Sequence, residues 1–208
     1  MTGPEDIGPD ETGPEETGPD GIDSLDDALA DPALAAAVHE LELHAAADGW
    51  DQKSRLYALA LTSDLVAKEP GLAAALGLDA ASAEGSFTPI EQELDASVPF
   101  ETVLASISWP DEVVGCAAVV ERLVLPPDVD AAIPEDPEAA LTFAQEHPLR
   151  QEVRIVAAAV RDGSTYSALR LRAHDDDTSV VGGADLVPEL VELLRATLEG
   201  DSPEETRT

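Results

Sequence analysis

Apolar residues recur at helical spacing in the first part of the chain that is not dominated by glycine, proline and acids. Over residues 32–47 they fall on one face, at Leu34, Val38, Leu41 and Ala45. Asp31 followed by Pro32 is an N-terminal capping signal, and Asp48-Gly49 is a stop signal. We therefore predict a helix over residues 32–47.

Two further runs are apolar on both sides of an extended chain. They are residues 54–61 (SRLYALAL) and residues 112–125 (EVVGCAAVVERLVL). Strands that are buried on both faces show this pattern, so we predict that the second run is a central strand of a sheet. Cys116 lies within it, and we interpret this residue as an inert core thiol.

The remaining pattern alternates short helices with extended segments. Asp162-Gly163 is a hairpin turn signal between residues 151–161 and 165–174. Helices are predicted from a cap at Thr62 or Ser63 to about Leu76 with a kink or break at Pro70, from Pro99 to Ile107, over residues 137–146, and from Asp185 to a stop at Gly200. Residues 77–97 are predicted as a long loop, and residues 179–181 as a short extended piece before a Gly182-Gly183 turn.

This order of elements favours an α+β fold. A hairpin late in the chain argues against a doubly wound parallel sheet. We predict a mainly antiparallel sheet of four to five strands with helices packed on it, in a single domain over residues 24–200. Residues 2–21 repeat Gly-Pro before carboxylates, so we predict a disordered acidic tail over residues 1–23 and a second tail over 201–208.

Charge and composition exclude several classes of function. The 208 residues include 44 Asp and Glu but only 11 Lys and Arg, for a formal net charge of −33. Nucleic acids and anionic membrane surfaces would repel such a chain, although a minor role as a DNA mimic stays open. The single cysteine cannot form an internal disulfide or a cysteine-based zinc site. Without a signal pattern or a sufficiently long apolar run, we expect a cytoplasmic protein.

Motifs that carry chemistry are few. The sequence contains neither a GxxxxGK[ST] nor a GxGxxG phosphate loop, nor the GxSxG of a nucleophile elbow. The segment His174–Asp177 is the densest set of potential metal ligands, but adjacent strand residues point to opposite faces. We interpret it as a solvated acidic turn, with weak divalent-cation binding left open. We thus predict no catalytic residue, no cofactor and no metal site.

Positive charge is concentrated in the predicted hairpin. Five of the 11 basic residues lie in it or directly before it, at Arg150, Arg154, Arg161, Arg170 and Arg172. Arg170 and Arg172 are two residues apart on a strand and should face the same side. These arginines either balance carboxylates on a neighbouring helix or form an interaction face, at Arg154, Arg170 and Arg172, for an acidic segment of a partner or of this chain's own N-terminus.

A series of segments between residues 30 and 199 resembles a family of cytoplasmic actinobacterial proteins with no assigned activity. These segments are WDQ (50–52), RLYALALT (55–62), TPIEQE (88–93), SWPDEVVGCAAVVERLVLPP (108–127), HPLRQEVRIV (147–156), VRDGSTYSALRLRAHDDD (160–177) and DLVPELVELL (185–194). The resemblance implies a small α+β domain and transfers no substrate or site residue. Two lysines and no asparagine, beside abundant Ala, Gly and Arg, fit a GC-rich coding genome.

These observations favour a non-enzymatic protein-interaction module, adaptor-like or chaperone-like, with homodimerisation left open. The alternative is a small-molecule-binding protein or a hydrolytic enzyme. Its site would lie near Trp50, Trp109, Arg122 and His174–Asp177.

Overall fold

A six-stranded antiparallel sheet, in the order β2-β1-β3-β4-β5-β6, forms the centre of the fold. The computed structural model describes residues 31–78, 83–184 and 186–199. The strands are β1 (Arg55–Leu61), β2 (Phe87–Glu91), β3 (Gly115–Val124), β4 (Gln151–Val160), β5 (Thr165–Leu171) and β6 (Val181–Gly183). The helices are α1 (Pro32–Ala47), α2 (Thr62–Lys68), α3 (Pro70–Ala75), α4 (Phe100–Ser106), α5 (Pro137–Glu146) and α6 (Pro188–Glu199). This confirms the α+β class and the antiparallel sheet.

The predicted number of four to five strands is wrong, because the sheet has six. β2 lies inside the segment 77–97 that was predicted to be a loop. Its residues are half-buried or exposed and include Pro89, so the segment lacks the apolar alternation of a strand, and pairing with β1 orders it instead. β6 includes the two glycines that were predicted to form a turn. A side chain at Gly182 would collide with the ring and hydroxyl of Tyr166, which explains why a glycine lies in this strand.

Several predicted elements have the bounds that local signals indicated. α1 and α5 cover residues 32–47 and 137–146, and the predicted break falls between α2 and α3, which begins at Pro70. At α1, the Asp31 side chain accepts a hydrogen bond of 2.9 Å from the Ala33 amide, which confirms the predicted cap. The two predicted tails, the start of the domain at residues 24–30, and the residues Asp185 and Gly200 lie outside the described residues.

α1 covers one face of the sheet. Its buried residues Leu34, Val38, Leu41 and Ala45 belong to a cluster with Tyr57, Leu59, Val119, Val156 and Ala168. The predicted apolar face of this helix is therefore confirmed as a core face.

α4, α6 and the buried Trp109 cover the opposite face, where Cys116 lies. The Trp109 indole nitrogen donates to the Thr197 hydroxyl at 2.9 Å. Burial of Cys116 raises the pKa of its thiol to about 11, so the thiol stays protonated at neutral pH. The guanidinium of Arg161 donates to the carbonyl oxygens of Leu198 and Trp109, which joins the C-terminal end of α6 to the Trp109 loop.

Candidate functional site

A strained loop places Trp50 over the end of the sheet on the α1 side. The loop turns through two residues with positive φ, Gly49 at 82° and Asp51 at 67°. This turn brings the Trp50 ring to 4.4 Å from the guanidinium carbon of Arg154, close enough for a cation–π contact. The indole nitrogen donates to the Asp175 carboxylate at 2.9 Å. Trp50 therefore connects β4 with the turn that follows β5.

Arg170 and Glu42 form a buried, bidentate ion pair between β5 and α1. The Nε and Nη2 atoms of Arg170 donate to the two carboxylate oxygens of Glu42 at 2.6 and 2.7 Å. Only 1% of Glu42 and 2% of Arg170 is exposed. Asp177 accepts a further bond from Arg170 at 2.9 Å. The hydrogen bond to Glu42 raises the pKa of Arg170 above its ordinary value, so the guanidinium is a permanent cation.

Arg154 is equally buried but is only partly satisfied. Its Nη2 atom donates to Glu121 at 3.0 Å and to the carbonyl oxygen of Gly49. Within the described residues, no hydrogen-bond partner meets its Nε and Nη1 atoms. The Trp50 ring lies against this guanidinium and limits its contact with solvent.

Arg172 is the exposed member of the group. It forms a bidentate pair with Asp51 at 2.9 Å through each nitrogen, and it also donates to Glu152. The hydrogen bonds from Arg172 hold the pKa of Asp51 below its ordinary value. The Arg172–Asp51 pair holds the strained loop on its solvent side, while the Trp50 ring of the same loop packs against Arg154.

The predicted interaction face is thus made of residues with different surroundings. Arg154 and Arg170 point into the protein, whereas the Arg172 side chain is 40% exposed. The carboxylates that sequence reasoning missed are Glu42 and Glu121. Glu42 directly follows a core leucine on the apolar face of α1, and a charged residue in that position was a signal of a buried partner. Contact between a partner and Arg172 stays a prediction.

The residues of the alternative site do not converge. Trp50 contacts Asp175, and both lie on the α1 side of the sheet. Trp109 belongs to the core on the opposite face, and Arg122 pairs there with Glu101 of α4 at 2.7 Å. Asp175 and Asp177 bind Arg170. Across the described ranges, no three His, Cys, Asp or Glu residues are grouped so that they could hold a metal ion.

A groove opens on the other face, bounded by α4 and α6 with β3 and β4 as its floor. This α4–α6 groove encloses about 560 Å³. Ten of its 13 lining residues are apolar: Phe100, Leu104, Val120, Leu123, Val124, Ile155, Val187, Pro188, Leu190 and Leu193. Leu193 is 43% exposed although it belongs to the apolar lining.

Three charged side chains line the same groove. Glu101 and Arg122 neutralise each other across it, whereas Glu189 makes no ion pair with any residue that the structure describes. The lining therefore carries one uncompensated negative charge beside its apolar residues.

Comparison with known proteins assigns the chain to a sequence family. The family model described as "PPA1309-like protein" matches residues 34–199. Neither the curated proteins nor the solved structures contain a match. In the described part of the chain, every helix is too short or too polar to cross a membrane.

Proposed function

The chain belongs to the PPA1309-like protein family, and we propose that it is a non-enzymatic protein-interaction module, adaptor-like or chaperone-like, that binds its partner in the α4–α6 groove. The observation that carries this proposal is the apolar lining of the groove, in which Leu193 is 43% exposed above buried residues such as Leu104 and Val120. An apolar concavity with an exposed apolar rim favours a binding surface, because covering the rim removes apolar area from water.

The polar cluster around Trp50 supports a structural role for the charged residues on the other face. Both oxygens of Glu42 are occupied by Arg170, and Glu121 accepts bonds from Arg154 and from the Asp51 amide. Because these carboxylates are bound internally, they stabilise the loop and the turn after β5 rather than meeting a ligand. The groove is therefore the better candidate for binding.

Site-specific crosslinking tests this proposal. A photoreactive phenylalanine derivative is placed at Leu193 in the groove, or at Leu43, which is 51% exposed on α1 across the sheet. In cells of the source organism we expect a discrete protein adduct from position 193 only. That adduct should weaken when Leu190→Gln is added to the same chain, since Leu190 also lines the groove. Equal adducts from both positions, or none from position 193, would contradict the proposal.

A small-molecule-binding protein is the second candidate. The groove volume lies within the range of about 300–1,000 Å³ that is typical of ligand pockets. Native mass spectrometry of the chain purified from its source would then show a retained apolar molecule that Leu193→Gln releases. A retained molecule without a protein adduct would favour this candidate over the first.

We also propose an actinobacterial source and a cytoplasmic location. The biased codon usage implied by two lysines and no asparagine supports the first, and the strongly acidic composition supports the second. Fractionation of cells that express the natural gene tests the location.

A further inference from the structure

We propose that the α4–α6 groove receives an extended segment of a partner protein, which pairs with the part of β3 that β1 leaves unpaired and carries net positive charge. This inference rests on the proposed function and specifies how the partner binds. The two neighbours of β3 in the sheet pair with it over different lengths. β1 pairs with β3 only from Gly115 to Val119, whereas β4 pairs with the whole of β3.

The five residues Val120–Val124, which we call the β3 step, therefore have a strand on one side only among the described residues. The register shows which of them face the open side. The Arg161 amide donates to the Val114 carbonyl at 2.8 Å, so Gly115 and Val160 form a non-hydrogen-bonded pair of the β3–β4 ladder. Counting in twos from Gly115, Glu121 and Leu123 direct their amide and carbonyl groups away from β4.

An independent contact supports this assignment. The carbonyl oxygen of Glu121 accepts a hydrogen bond of 3.2 Å from the side chain of Arg122, in place of a bond from a neighbouring strand. No strand in the described ranges pairs with the outward backbone groups of Leu123. An added strand would satisfy them, as strands do in β-augmentation.

The groove extends to this open edge. Its lining includes Val120, Arg122, Leu123 and Val124. The groove therefore runs along four of the five residues of β3 that β1 leaves unpaired. An extended segment seated there can bond to the backbone of the β3 step while every second side chain enters the apolar groove.

Charge determines which segment fits. The chain has a net charge of −33, and Glu189 in the groove has no ionic partner within the described residues. Residues 1–52 of the chain contain 15 acids and no Lys or Arg, and residues 200–208 contain no aliphatic or aromatic side chain. A second copy carries the same negative charge. We therefore assign the groove to a segment of a different protein that alternates apolar and basic residues.

Binding of synthetic peptides to the full-length chain tests this inference. The probe is a labelled peptide of about nine alternating valines and lysines, a length that covers the β3 step. Its controls replace lysine with glutamate, or methylate alternate backbone amides in one register or the other. Anisotropy titration should show at least about tenfold weaker binding for the glutamate peptide and for one methylated register only. The other register should bind as the parent does, because its methylated amides point away from β3.

Variants of the protein locate the binding. Leu193→Gln should weaken the parent peptide about tenfold, whereas Leu43→Gln, on the opposite face, should leave it unchanged. Hydrogen exchange at the Leu123 amide should slow when the peptide binds.

Four outcomes would overturn the inference. They are equal binding of both methylated registers, unchanged exchange at Leu123, tighter binding of a helical Leu-Lys peptide, and a dimer of the chain that Leu193→Gln dissociates. If crosslinking at position 193 captures a protein while these peptides fail, the proposed function stands and only this binding mode is wrong. Conversely, a groove that binds the peptide but captures no protein would refute the proposed function.

Discussion

Replacing Arg170 with methionine removes the partner of a carboxylate that has almost no contact with solvent. Glu42 is 1% exposed, and Arg170 supplies bonds of 2.6 and 2.7 Å to its two oxygens. Removing one member of a buried pair typically costs about 3–5 kcal/mol, because the other charge is left buried and uncompensated. We expect Arg170→Met to lower the free energy of unfolding by about 4 kcal/mol.

Replacing Glu42 instead of Arg170 should lower the free energy of unfolding by less. In Glu42→Gln, the amide oxygen still accepts one bond from Arg170, and Arg170 keeps Asp177 at 2.9 Å. We expect a loss of about 2 kcal/mol, near the value of one charge-assisted hydrogen bond. The double variant Glu42→Leu/Arg170→Met should come within about 1 kcal/mol of the natural chain, since apolar replacements of a buried pair are often neutral.

Urea unfolding followed by far-ultraviolet circular dichroism measures these differences. Arg172→Met is the matched control, because Arg172 likewise pairs with acidic side chains, Asp51 and Glu152, but is exposed, so its loss should cost much less than the loss of Arg170. A loss below about 1 kcal/mol for Arg170→Met would refute the reasoning, and so would a double variant whose cost equals the summed costs of Glu42→Leu and Arg170→Met, each measured alone.

Three further predictions follow from other parts of the fold. Burial raises the pKa of Cys116 from 9.0 to about 11, so the protonated thiol contributes stability below pH 9, and this contribution is lost between pH 9 and 11. Unfolding curves of Cys116→Ala should lack this loss. A thiol reagent at pH 8 should label the natural chain only in denaturant. Gly115→Ala places a Cβ 2.6 Å from the Ala159 carbonyl oxygen and should lower the free energy of unfolding by about 1–3 kcal/mol. Gly71→Ala in α3 meets nothing within 4 Å and should raise that free energy by up to about 1 kcal/mol, as measured by thermal unfolding. Trp50→Phe removes the bond to Asp175 but keeps an aromatic ring, and should cost about 1 kcal/mol. Trp50→Ala also removes the ring contacts with Arg154 and Arg172, at 4.4 and 5.5 Å, and should cost about 1 kcal/mol more in the same urea assay; equal losses would contradict a stabilising contact of the ring with these arginines.

The parts of the fold that were predictable from the sequence are those whose cause is local. The Asp136 side chain accepts a bond from the Ala139 amide three residues away, so the start of α5 is encoded within one turn. β2 has no comparable signal, because pairing with β1 and not its own composition makes it a strand. A propensity pattern cannot show such a partner 30 residues away along the chain.

The candidate sites were only partly predictable for the same reason. The clustering of arginines in the hairpin was visible, but Glu42 lies 128 residues from Arg170. Likewise, the α4–α6 groove combines residues from four separate segments of the chain, and the β3 step results from the different lengths of two strands. Such features depend on the three-dimensional register, which apolar periodicity does not specify.

The distance between Glu42 and Arg170 along the chain restricts the order in which a growing polypeptide can assemble. α1 leaves the ribosome long before β5 does. Until β5 is made, the apolar face of α1 carries the Glu42 carboxylate without its partner Arg170. Docking of that helix on an unfinished sheet is consequently penalised, and this penalty disappears when the final hairpin is made. The ion pair thereby makes the packing of α1 on the sheet depend on nearly complete synthesis of the domain.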